Sequence, residues 1–297
     1  MKNKIVESII KNLKVNVTDI KLFGKGKCNF VYLVTLAGAK QLIIKEERFD
    51  KETEEQNHII TEAKTIKYLN EKIPSLKIPR VRFFDADLGL YCYDFISGKP
   101  MKTEWEKMSQ AERVNLCKNL GRFHAEFHQS LTLDEAKQLG LVINQKPDLE
   151  ADLLKHLDIL LQKKDLPENL FLLIKKVIDI FEQTTKEAFF SLIHNDIHNE
   201  NILITKNDIS AVIDFGDTEF DDIRKDFHRY LCDYPDYFNY ILDEYQNNVD
   251  FSVSKVRIIS YAILLLAWKI DCEIIDSPEN KKLMEQIMII YKKYLIS

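Results

Sequence analysis

The most informative segment of this sequence is HNDIHNEN, residues 194–201, which is followed shortly afterwards by IDFG, residues 213–216. It places a carboxylate, Asp196, and an amide, Asn201, on one tight loop, and a second carboxylate, Asp214, at the end of the next strand-like run. Phosphoryl transfer needs a carboxylate that orients the attacking hydroxyl and accepts its proton, together with oxygen ligands that hold Mg²⁺ against the phosphates. We therefore predict phosphoryl transfer, with Asp196 as the base and with Asn201 and Asp214 as Mg²⁺ ligands.

The order and spacing of these residues carry the prediction. A D-x-x-x-x-N spacing alone is common and has little value. Here His194 precedes Asp196 in the H-x-D arrangement, and the D-F-G triplet begins thirteen residues after Asn201. This is the pattern of a kinase catalytic loop followed by its D-F-G motif, in the order that kinases show. The combination argues against a chance match.

A lysine on a strand and a glutamate on the following helix are the next elements that a kinase requires. The lysine binds the α- and β-phosphates, and the glutamate braces it. Lys45 lies in the strand-like run LIIKEE (42–47), and Glu62 lies in a helical segment after it. Glu55 is the competing glutamate, but Glu62 adjoins Ala63 and is expected to face the ligand cleft. The alternative, two unrelated surface charges, is disfavoured by the catalytic loop downstream.

The segment GKGKCN, residues 24–29, supplies two glycines, Gly24 and Gly26, between two strand-like runs. Glycine lets backbone N–H groups approach phosphate oxygens closely. The segment departs from G-x-G-x-x-G because Asn29 stands in the place of the third glycine. A plain hairpin turn explains the segment equally well, so only its position supports nucleotide binding.

Strand-like runs dominate the first third of the chain, and helical patterns dominate the remainder. FVYLVTL (30–36) and KQLIIKEE (40–47) are rich in β-branched residues and predict a hairpin around AGA, and residues 80–96 contain two further strand-like runs. A capping box at Ser109 and Glu112 predicts a helix start. Further helices are predicted at about 149–163, 168–190, 252–273 and 278–295, with strand-like runs at 192–205 and 209–217.

This organisation predicts an α+β, two-lobed, protein-kinase-like fold. The first lobe, 1–97, is expected to contain an antiparallel sheet and a helix and to bind the nucleotide, with a hinge near 93–97. The second lobe, 98–297, is expected to be larger, mostly helical and catalytic. A cleft between two lobes is a usual place for a ligand.

The bulk properties narrow the function classes. The chain is 45% hydrophobic and 30% charged, with a formal net charge of −5, so nothing favours nucleic acid or an anionic membrane as a partner. The five cysteines are scattered without metal-ligand spacing, which favours reduced thiols in a cytoplasmic protein. The most apolar stretch, 258–268, is too short to span a bilayer and predicts a buried helix. We expect a monomer or a weak dimer.

At these residues the sequence resembles the aminoglycoside phosphotransferase and choline kinase superfamily, and within it the bacterial aminoglycoside 2″-phosphotransferases in particular. The segments that carry the resemblance span most of residues 22–230: FGKGKCNFVYLV, LIIKEE, TEAKTIKYL, DFISGKPM, NLGRFHAEFHQ, LIHNDIHNENILI and VIDFGDTEFDDIRKDF. Choline kinases typically have I-D-W-E-Y-A where this chain has IDFGDT. Protein kinases have H-R-D, whereas Asn195 takes the arginine's place here, and no A-P-E follows Asp214. The chain also departs from several 2″ enzymes, which carry His at the position of Asn201.

The resemblance implies roles for individual residues. Asp196 is implied as the base, Asn201 and Asp214 as the Mg²⁺ ligands, and Lys45 as the phosphate clamp, braced by Glu62. The residues implied for the hinge that meets the purine through its backbone are Tyr93, Asp94, Phe95 and Ile96. The family's D-P-x-x-D-F motif matches at Asp222 and Asp226, with Ile223 in place of proline, and is expected to be structural. Structural roles are also expected for His124, His128 and His194, with His198 exposed.

The charge distribution supplies an independent argument about the acceptor. Between Asp214 and Asp250 there are eleven acidic and three basic residues, a local net charge of −8 in a chain that totals −5. An acidic surface beside a catalytic aspartate suits a polycationic sugar, although a solvated acidic face is an equal alternative for each residue. The candidate contributors are Asp217, Glu219, Asp233, Asp236, Asp271 and Glu273. Trp268 could stack on a sugar ring, but its apolar helix favours a core position.

These observations leave three functional hypotheses. The first is an aminoglycoside O-phosphotransferase that uses ATP or GTP, together with Mg²⁺, and confers antibiotic resistance. The second is a metabolic kinase of the same fold for choline, a sugar or a macrolide. The third is an inactive, kinase-like binding protein, which the combination of Asp196, Asn201, Asp214 and Lys45 argues against. The sequence leaves the choice of ATP or GTP open.

Overall fold

A computed structural model describes residues 2–26, 28–48 and 59–296 of the chain. Its helices are α1 (Lys2–Leu13), α2 (Ile59–Lys72), α3 (Met101–Glu104), α4 (Gln110–His128), α5 (Leu133–Leu139), α6 (Ala151–Leu161), α7 (Glu168–Gln183), α8 (Arg224–Asp233), α9 (Phe238–Gln246), α10 (Lys255–Trp268) and α11 (Pro278–Leu295). Its strands are β1 (Val17–Lys25), β2 (Asn29–Leu36), β3 (Gln41–Glu47), β4 (Val81–Asp85), β5 (Leu90–Asp94), β6 (Lys99–Pro100), β7 (Val142–Ile143), β8 (Phe190–Ile193), β9 (Ile202–Thr205), β10 (Asp208–Val212) and β11 (Glu219–Asp222). Two short 3₁₀ helices cover Trp105–Lys107 and Thr185–Glu187.

The chain forms two compact units, and each is built from separate segments. The sheet unit comprises Met1–Met108, Asp134–Leu141 and Asn199–Thr218. The helical unit comprises Ser109–Leu133, Val142–His198 and Glu219–Ser297. The chain passes from the helical unit to the sheet unit between His198 and Asn199, inside the segment 194–201.

A five-stranded antiparallel sheet is the framework of the sheet unit, with the strand order β1-β2-β3-β5-β4. The turn between β2 and β3 places Gly38 and Ala39 in the left-handed region, at φ of 87° and 63°, which matches the predicted hairpin. Strand β3 is buried over five consecutive residues, so it is covered on both faces. Ile5 and Ile9 of α1 pack with Val34 and other side chains of β2, β3 and β5. A buried polar group on β3 therefore needs a partner within the protein.

A smaller sheet in the same unit connects the end of the 194–201 loop, at Asn201, to the D-F-G motif, at Asp214. Its order is β10-β9-β6, all antiparallel. Strand β9 begins directly after Asn201, and β10 ends two residues before Asp214. Lys206 and Asn207, in the turn that joins these strands, both have a positive φ, of 51° and 61°. The β9–β10 hairpin therefore places Asn201 and Asp214 close to each other.

Amphipathic helices form the core of the helical unit. Helix α4 begins with the predicted capping box, in which the Ser109 hydroxyl accepts the Glu112 N–H and the Glu112 carboxylate accepts the Ser109 N–H. Its apolar face is buried as predicted, and α10 is buried along most of its length. A three-stranded sheet of order β7-β11-β8 completes this unit. Within the described residues, no helix combines the length and apolar character needed to cross a membrane.

The predicted fold class, α+β with an antiparallel sheet before a mostly helical remainder, is confirmed. Several predicted boundaries were wrong. The helix predicted at 168–190 ends at Gln183, and β8 takes over at Phe190 because β11 pairs with that segment. The run at 192–205 is two strands separated by the loop, and the run at 209–217 ends as a strand at Val212. The division of the chain into lobes at residue 97 stays a prediction.

Candidate active site

A buried charge cluster joins β3, α2 and the segment after β10. The Lys45 ammonium donates to both carboxylate oxygens of Glu62, at 2.9 Å each, and to Oδ1 of Asp214 at 2.6 Å. The side chains of Lys45 and Glu62 are 7% and 1% exposed, whereas that of Asp214 is 51% exposed. The structure thus brings together three residues that sequence analysis singled out separately. Of these three charged residues, Asp214 alone is exposed to solvent.

Glu62 is the centre of this cluster because three donors converge on its carboxylate. Besides Lys45, the Tyr91 hydroxyl and the Phe215 backbone N–H donate to its Oε1, at 2.9 and 3.0 Å. Burial raises the pKa of Glu62, while its contacts with Lys45 and Tyr91 act in the opposite direction. Burial alone would lower the pKa of Lys45, but the negative charges of Glu62 and Asp214 outweigh burial and raise it. Lys45 is therefore a fixed positive charge.

The backbone around Asp214 is held in an uncommon conformation. Its φ is +69°, in the left-handed region that costs a non-glycine residue about 1 kcal/mol or more. The surrounding contacts fix it there: the Ile213 N–H donates to the Asn201 carbonyl at 2.9 Å, and Phe215 N–H donates to Glu62. A Cβ on Gly216 would lie within 4.0 Å of Lys45 Nζ and Asp214 Oδ1. The strained backbone conformation is thus at Asp214 itself, whose side chain is exposed to solvent.

Asn201 and Asp214 carry oxygen ligands of the kind that Mg²⁺ prefers. Their backbones are adjacent in the sheet unit, since Asn201 pairs with the residue before Asp214. The amide of Asn201 and the carboxylate of Asp214 supply the hard oxygen ligands that Mg²⁺ prefers, and the solvent exposure of Asp214 leaves room for water and phosphate ligands. These residues could therefore hold the metal that the sequence implied.

The first half of the loop, residues 194–198, belongs to the helical unit and is anchored from α8. Asp226 is fully buried, and its carboxylate accepts the backbone N–H groups of His194 and Asn195 at 2.9 and 2.8 Å. His128 Nε2 lies 3.1 Å from Asp226 Oδ2, and its Nδ1 lies 2.9 Å from the Tyr245 hydroxyl. Because a carboxylate only accepts, His128 donates from Nε2. The predicted structural roles of Asp226 and His128 agree with these contacts.

Asp196 follows this anchored backbone and is one-third exposed. Two cationic or potentially cationic groups lie beside it: Arg229 Nη2 is 3.8 Å from Oδ1, and His198 Nε2 is 3.6 Å from Oδ2. His198 is partly buried, so the prediction that it is exposed was wrong. Arg229, on α8, escaped sequence analysis because no local pattern couples it to a residue more than thirty positions earlier. It places a positive charge next to the predicted base.

The comparisons with known proteins bear on this arrangement directly. No curated protein matches the sequence. Residues 19–246 match the family model of the APH phosphotransferase enzyme family. The chain belongs to this phosphotransferase family. The predicted resemblance and the prediction of a small-molecule phosphotransferase are confirmed.

Solved structures of other phosphotransferases share the fold along the whole chain. The ADP-bound aminoglycoside phosphotransferase APH(2″)-Ib is 18% identical, with 98% of this chain and 97% of that chain covered and a TM-score of 0.61. The GDP complex of aminoglycoside 2′-phosphotransferase-IIIa is 15% identical, with 98% and 99% covered and a TM-score of 0.68. Macrolide 2′-phosphotransferase MphH from Brachybacterium faecium is 12% identical, with 96% and 97% covered and a TM-score of 0.63. These matches confirm the kinase-like fold.

The two glycines of the glycine segment of this phosphotransferase lie at the end of β1, Gly24 within the strand and Gly26 directly after it. Gly24 lies at an irregularity where β1 pairs with Val31, and the Gly26 N–H donates to the Asn29 carbonyl at 2.9 Å. Lys27 and the competing Glu55 lie outside the described residues. The nucleotide-binding interpretation of Gly24 and Gly26 stays a prediction, and a plain hairpin turn stays its alternative.

The predicted hinge segment of the phosphotransferase lies at the end of β5. The backbone N–H groups of Asp94 and Phe95 donate to the carbonyls of Arg80 and Gln41, at 3.2 Å each, so both are already used within the sheet unit. Phe95 is 37% exposed and makes an edge-to-face contact with the 60%-exposed Phe23, with ring centroids 6.4 Å apart.

The other two hinge candidates are only partly exposed. The ring of Tyr93 stacks on Tyr91, and Ile96 is half-buried. Phe23 was not predicted, although its position on β1 beside the glycine segment was a usable signal.

The candidate acceptor residues of the phosphotransferase differ in their partners. Glu219 is mostly buried, accepts from Asn195 Nδ2 at 2.8 Å and lies 3.4 Å from Lys225 Nζ; burial raises its pKa. Asp236 is paired with Lys293 at 2.5 Å but is 81% exposed. The candidates with exposed positions are Asp217, Asp233, Asp271 and Glu273. Three acids that entered the charge count are buried and structural: Asp221, Asp222 and Asp226. The local net charge of −8 therefore includes acids that are not on the surface, and fewer acids are available to an acceptor than the count implies.

Trp268 occupies the last position of α10. It is 45% exposed and makes an edge-to-face contact with His156 at 6.5 Å, so the expectation of a core position was wrong. Asp222, in contrast, is fully enclosed between Arg224 and Arg257, with ion pairs of 2.5 and 2.8 Å. The predicted structural role of Asp222 agrees with that position.

Proposed function

We propose that this chain transfers the γ-phosphoryl group of ATP or GTP onto a hydroxyl of an aminoglycoside. The observation that carries the transfer reaction is the contact of one ammonium, Lys45, with Glu62 on α2 and with the half-exposed Asp214. The buried Glu62 holds the Lys45 ammonium on one side, and the exposed Asp214 lies on its other side. Lys45 is therefore positioned to bind phosphate oxygens.

The nucleotide would be held by groups of the sheet unit. Lys45 would bind the α- and β-phosphates, and the turn at Gly24 and Gly26 would approach the phosphates with its backbone. The purine ring of the nucleotide would lie against the segment from Tyr93 to Ile96, near the exposed rings of Phe23 and Phe95. In support, the related structures described above hold ADP in one case and GDP in another. Because these contacts involve backbone and apolar groups, they favour neither purine.

Asn201 and Asp214 would hold Mg²⁺. When bound, the metal neutralises the charge that develops on the phosphate oxygens. The chain's own contribution is to present a carboxylate whose backbone is fixed at a strained φ and whose Oδ1 accepts from Lys45. The Lys45 contact limits the directions in which Asp214 can turn.

Asp196 would orient the acceptor hydroxyl and accept its proton. The two backbone N–H groups immediately before it are anchored on Asp226, so the position of its Cα is determined by the buried core of the helical unit. Its carboxylate is partly exposed, which gives an acceptor access. A carboxylate on a rigid support, open at one side, suits a general base.

The aminoglycoside acceptor rests on charge and on similarity. Asp217, Asp233, Asp236, Asp271 and Glu273 are exposed acids that could attract amino groups, and Trp268 exposes a ring that could stack on a sugar. Glu219 is the weakest candidate because Asn195 and Lys225 already engage it. Structures of aminoglycoside 2″-phosphotransferases, including one in a gentamicin complex that is 20% identical to this chain with a TM-score of 0.61, share the fold.

A macrolide or another weakly cationic alcohol is the second candidate acceptor. The specific observation in its favour is Arg229, whose guanidinium lies 3.8 Å from the carboxylate of Asp196. A positive charge beside the base repels a polycation locally. A macrolide 2′-phosphotransferase also shares the fold, with a TM-score of 0.63.

The test is a nucleotide-turnover assay with ATP and GTP across aminoglycosides, macrolides and choline, followed by product mass. We expect a mass gain of one phosphoryl group on an aminoglycoside with wild-type protein and none with Asp196→Ala. Product on a macrolide alone would favour the second candidate. Nucleotide binding without turnover on any acceptor would favour an inactive binding protein.

A further inference from the structure

Helix α5 is an excursion of the chain into the sheet unit. Residues 134–141 belong to that unit, whereas the residues before and after them belong to the helical unit. Ala136 is fully buried, and the helix ends with Gly140 at a φ of +76° and with the Leu141 N–H donating to the Ala136 carbonyl. A short helix whose flanking segments belong to the other unit needs specific contacts within the sheet unit to keep its position.

Those contacts are made by Glu135 with the last turns of α2. The Tyr68 hydroxyl donates to Glu135 Oε1 at 2.5 Å, and the Lys72 ammonium contacts both carboxylate oxygens, at 2.6 and 2.7 Å. Tyr68 and Lys72 are four residues apart and therefore lie on one face of α2. The Lys72 ammonium also lies 5.6 Å from the ring centroid of Tyr68. One carboxylate thus joins two consecutive turns of this helix.

The same helix carries Glu62, which braces Lys45 through both carboxylate oxygens. At its other side α2 is tied to the sheet by Asn70, whose amide donates to the Pro79 carbonyl and accepts the Val81 N–H, each at 3.0 Å. Asn70 and the buried residues Ala63, Ile66 and Leu69 hold α2 on one side, and Glu135 opposes rotation of the helix from the other side. A rigid helix transmits such a rotation along its length to Glu62.

We propose that Glu135 is a positioning residue for phosphoryl transfer: with Tyr68 and Lys72 it forms a latch that holds α2 where Glu62 braces Lys45. The inference rests on the proposed function for the role of Lys45, but the latch is a property of the sheet unit alone. The latch acts through Glu62 and touches neither nucleotide nor acceptor. Its loss therefore lowers the rate of the chemical step more than it weakens nucleotide binding, since a misplacement of about 1 Å can reduce a rate by roughly 100-fold.

The first test measures kcat and the KM for nucleotide in Glu135→Ala, Glu135→Gln and Tyr68→Phe. We expect kcat to fall roughly tenfold in Glu135→Ala with KM changed by less than about threefold, and Glu135→Gln to recover part of kcat because its amide oxygen still accepts from Tyr68. The matched control is Lys77→Gln, which breaks an exposed 2.8 Å ion pair with Asp208 in the same unit. We expect that variant to keep wild-type kcat. An unchanged kcat in Glu135→Ala and Tyr68→Phe would overturn the proposal.

A double-mutant cycle separates the latch from a general loss of stability. In a Glu62→Ala background, Glu135→Ala should lower kcat by less than twofold further, because the contact that the latch positions is already gone. A full tenfold further loss would contradict the mechanism.

Hydrogen exchange supplies a readout that does not depend on activity. Glu135→Ala should speed exchange in residues 59–72 relative to α1, and unchanged exchange there would refute the latch. If Lys45→Ala keeps wild-type turnover while the exchange result holds, the proposed function fails and the latch stands.

Discussion

Asp226 accepts the backbone N–H of Asn195 at 2.8 Å, while the φ of Asn195 is +64°. Asparagine tolerates the left-handed region better than most residues, and its side chain is held separately by Glu219 at 2.8 Å. The residue that precedes Asp196 is thus fixed at both its backbone and its side chain. The conformation of the loop is determined by a buried acid on α8.

Asp226→Asn should therefore reduce activity without touching the reacting groups. An asparagine oxygen can replace one of the two acceptors for the His194 and Asn195 N–H groups, and its amide cannot replace the other. We expect kcat to fall by a factor on the order of 100 and stability to fall by about 1–3 kcal/mol because a buried donor loses its partner. Steady-state kinetics and urea unfolding measure the two effects. Asp158→Asn, at an exposed position of α6, is the control, and equal losses in both variants would refute the anchoring role.

Lys45→Ala should abolish turnover. The variant should still fold, with a lower free energy of unfolding than the wild type. The substitution removes the phosphate contact and leaves Glu62 buried with its remaining donors, Tyr91 and Phe215. We expect kcat to fall at least 100-fold. Glu62→Gln should have a smaller effect on kcat, since Lys45 keeps Asp214. The assay is single-turnover phosphate transfer, and a Lys45→Ala enzyme within threefold of wild type would exclude the proposed role.

Gly121→Ala should destabilise the helical unit. A Cβ on Gly121 would collide with the backbone carbonyl of Ile241 and lie 3.0 Å from the Tyr245 N, so α4 and α9 could not keep their separation. We expect a loss of about 1–3 kcal/mol, the usual cost of overpacking. Thermal unfolding of this variant is compared with Asn115→Ala, at an exposed position of the same helix. A melting temperature equal to that of the control would show that α9 can shift without cost.

Acid should destabilise the protein through two histidines, the fully buried His124 and the partly buried His228. Burial lowers the pKa of His124 to about 3, with the neighbouring His128 adding to the effect, and burial lowers the pKa of His228 to about 3. Below pH 6.5 the unfolded chain binds protons at these residues that the folded chain does not, so stability falls as pH decreases from about 6.5 toward 3. At pH 5 the loss is on the order of 2 kcal/mol for each histidine.

Urea midpoints between pH 7 and pH 5 test this dependence. The variants His124→Gln and His228→Gln should each show a shallower loss of stability over that range, and the double variant the shallowest. A double variant with the wild-type slope would assign the acid sensitivity to other groups. Activity is not needed for this measurement, so the result holds whatever the acceptor is.

Much of the site could be predicted because its motifs are local. The loop residues Asp196 and Asn201 lie five positions apart on a continuous backbone, and D-F-G follows within one hairpin, so their order alone indicated the chemistry. The hairpin around Gly38 and the capping box at Ser109 were predicted for the same reason: turn and cap preferences act within four residues. The α4 face was predicted because helical periodicity is also local.

Other features were decided by contacts between distant residues. Lys45 reaches Asp214 across 169 positions, and Glu135 reaches Tyr68 across 67. Nothing in the composition separates the buried Asp222, enclosed by Arg224 and Arg257, from the exposed Asp236. The sequence by itself determined the fold class, the reaction class and the identity of the loop residues, because these follow from short-range spacing. Only the tertiary structure decided which acids are buried and paired, where α2 is held and that Arg229 lies beside Asp196, because burial and long-range pairing depend on how the folded chain packs.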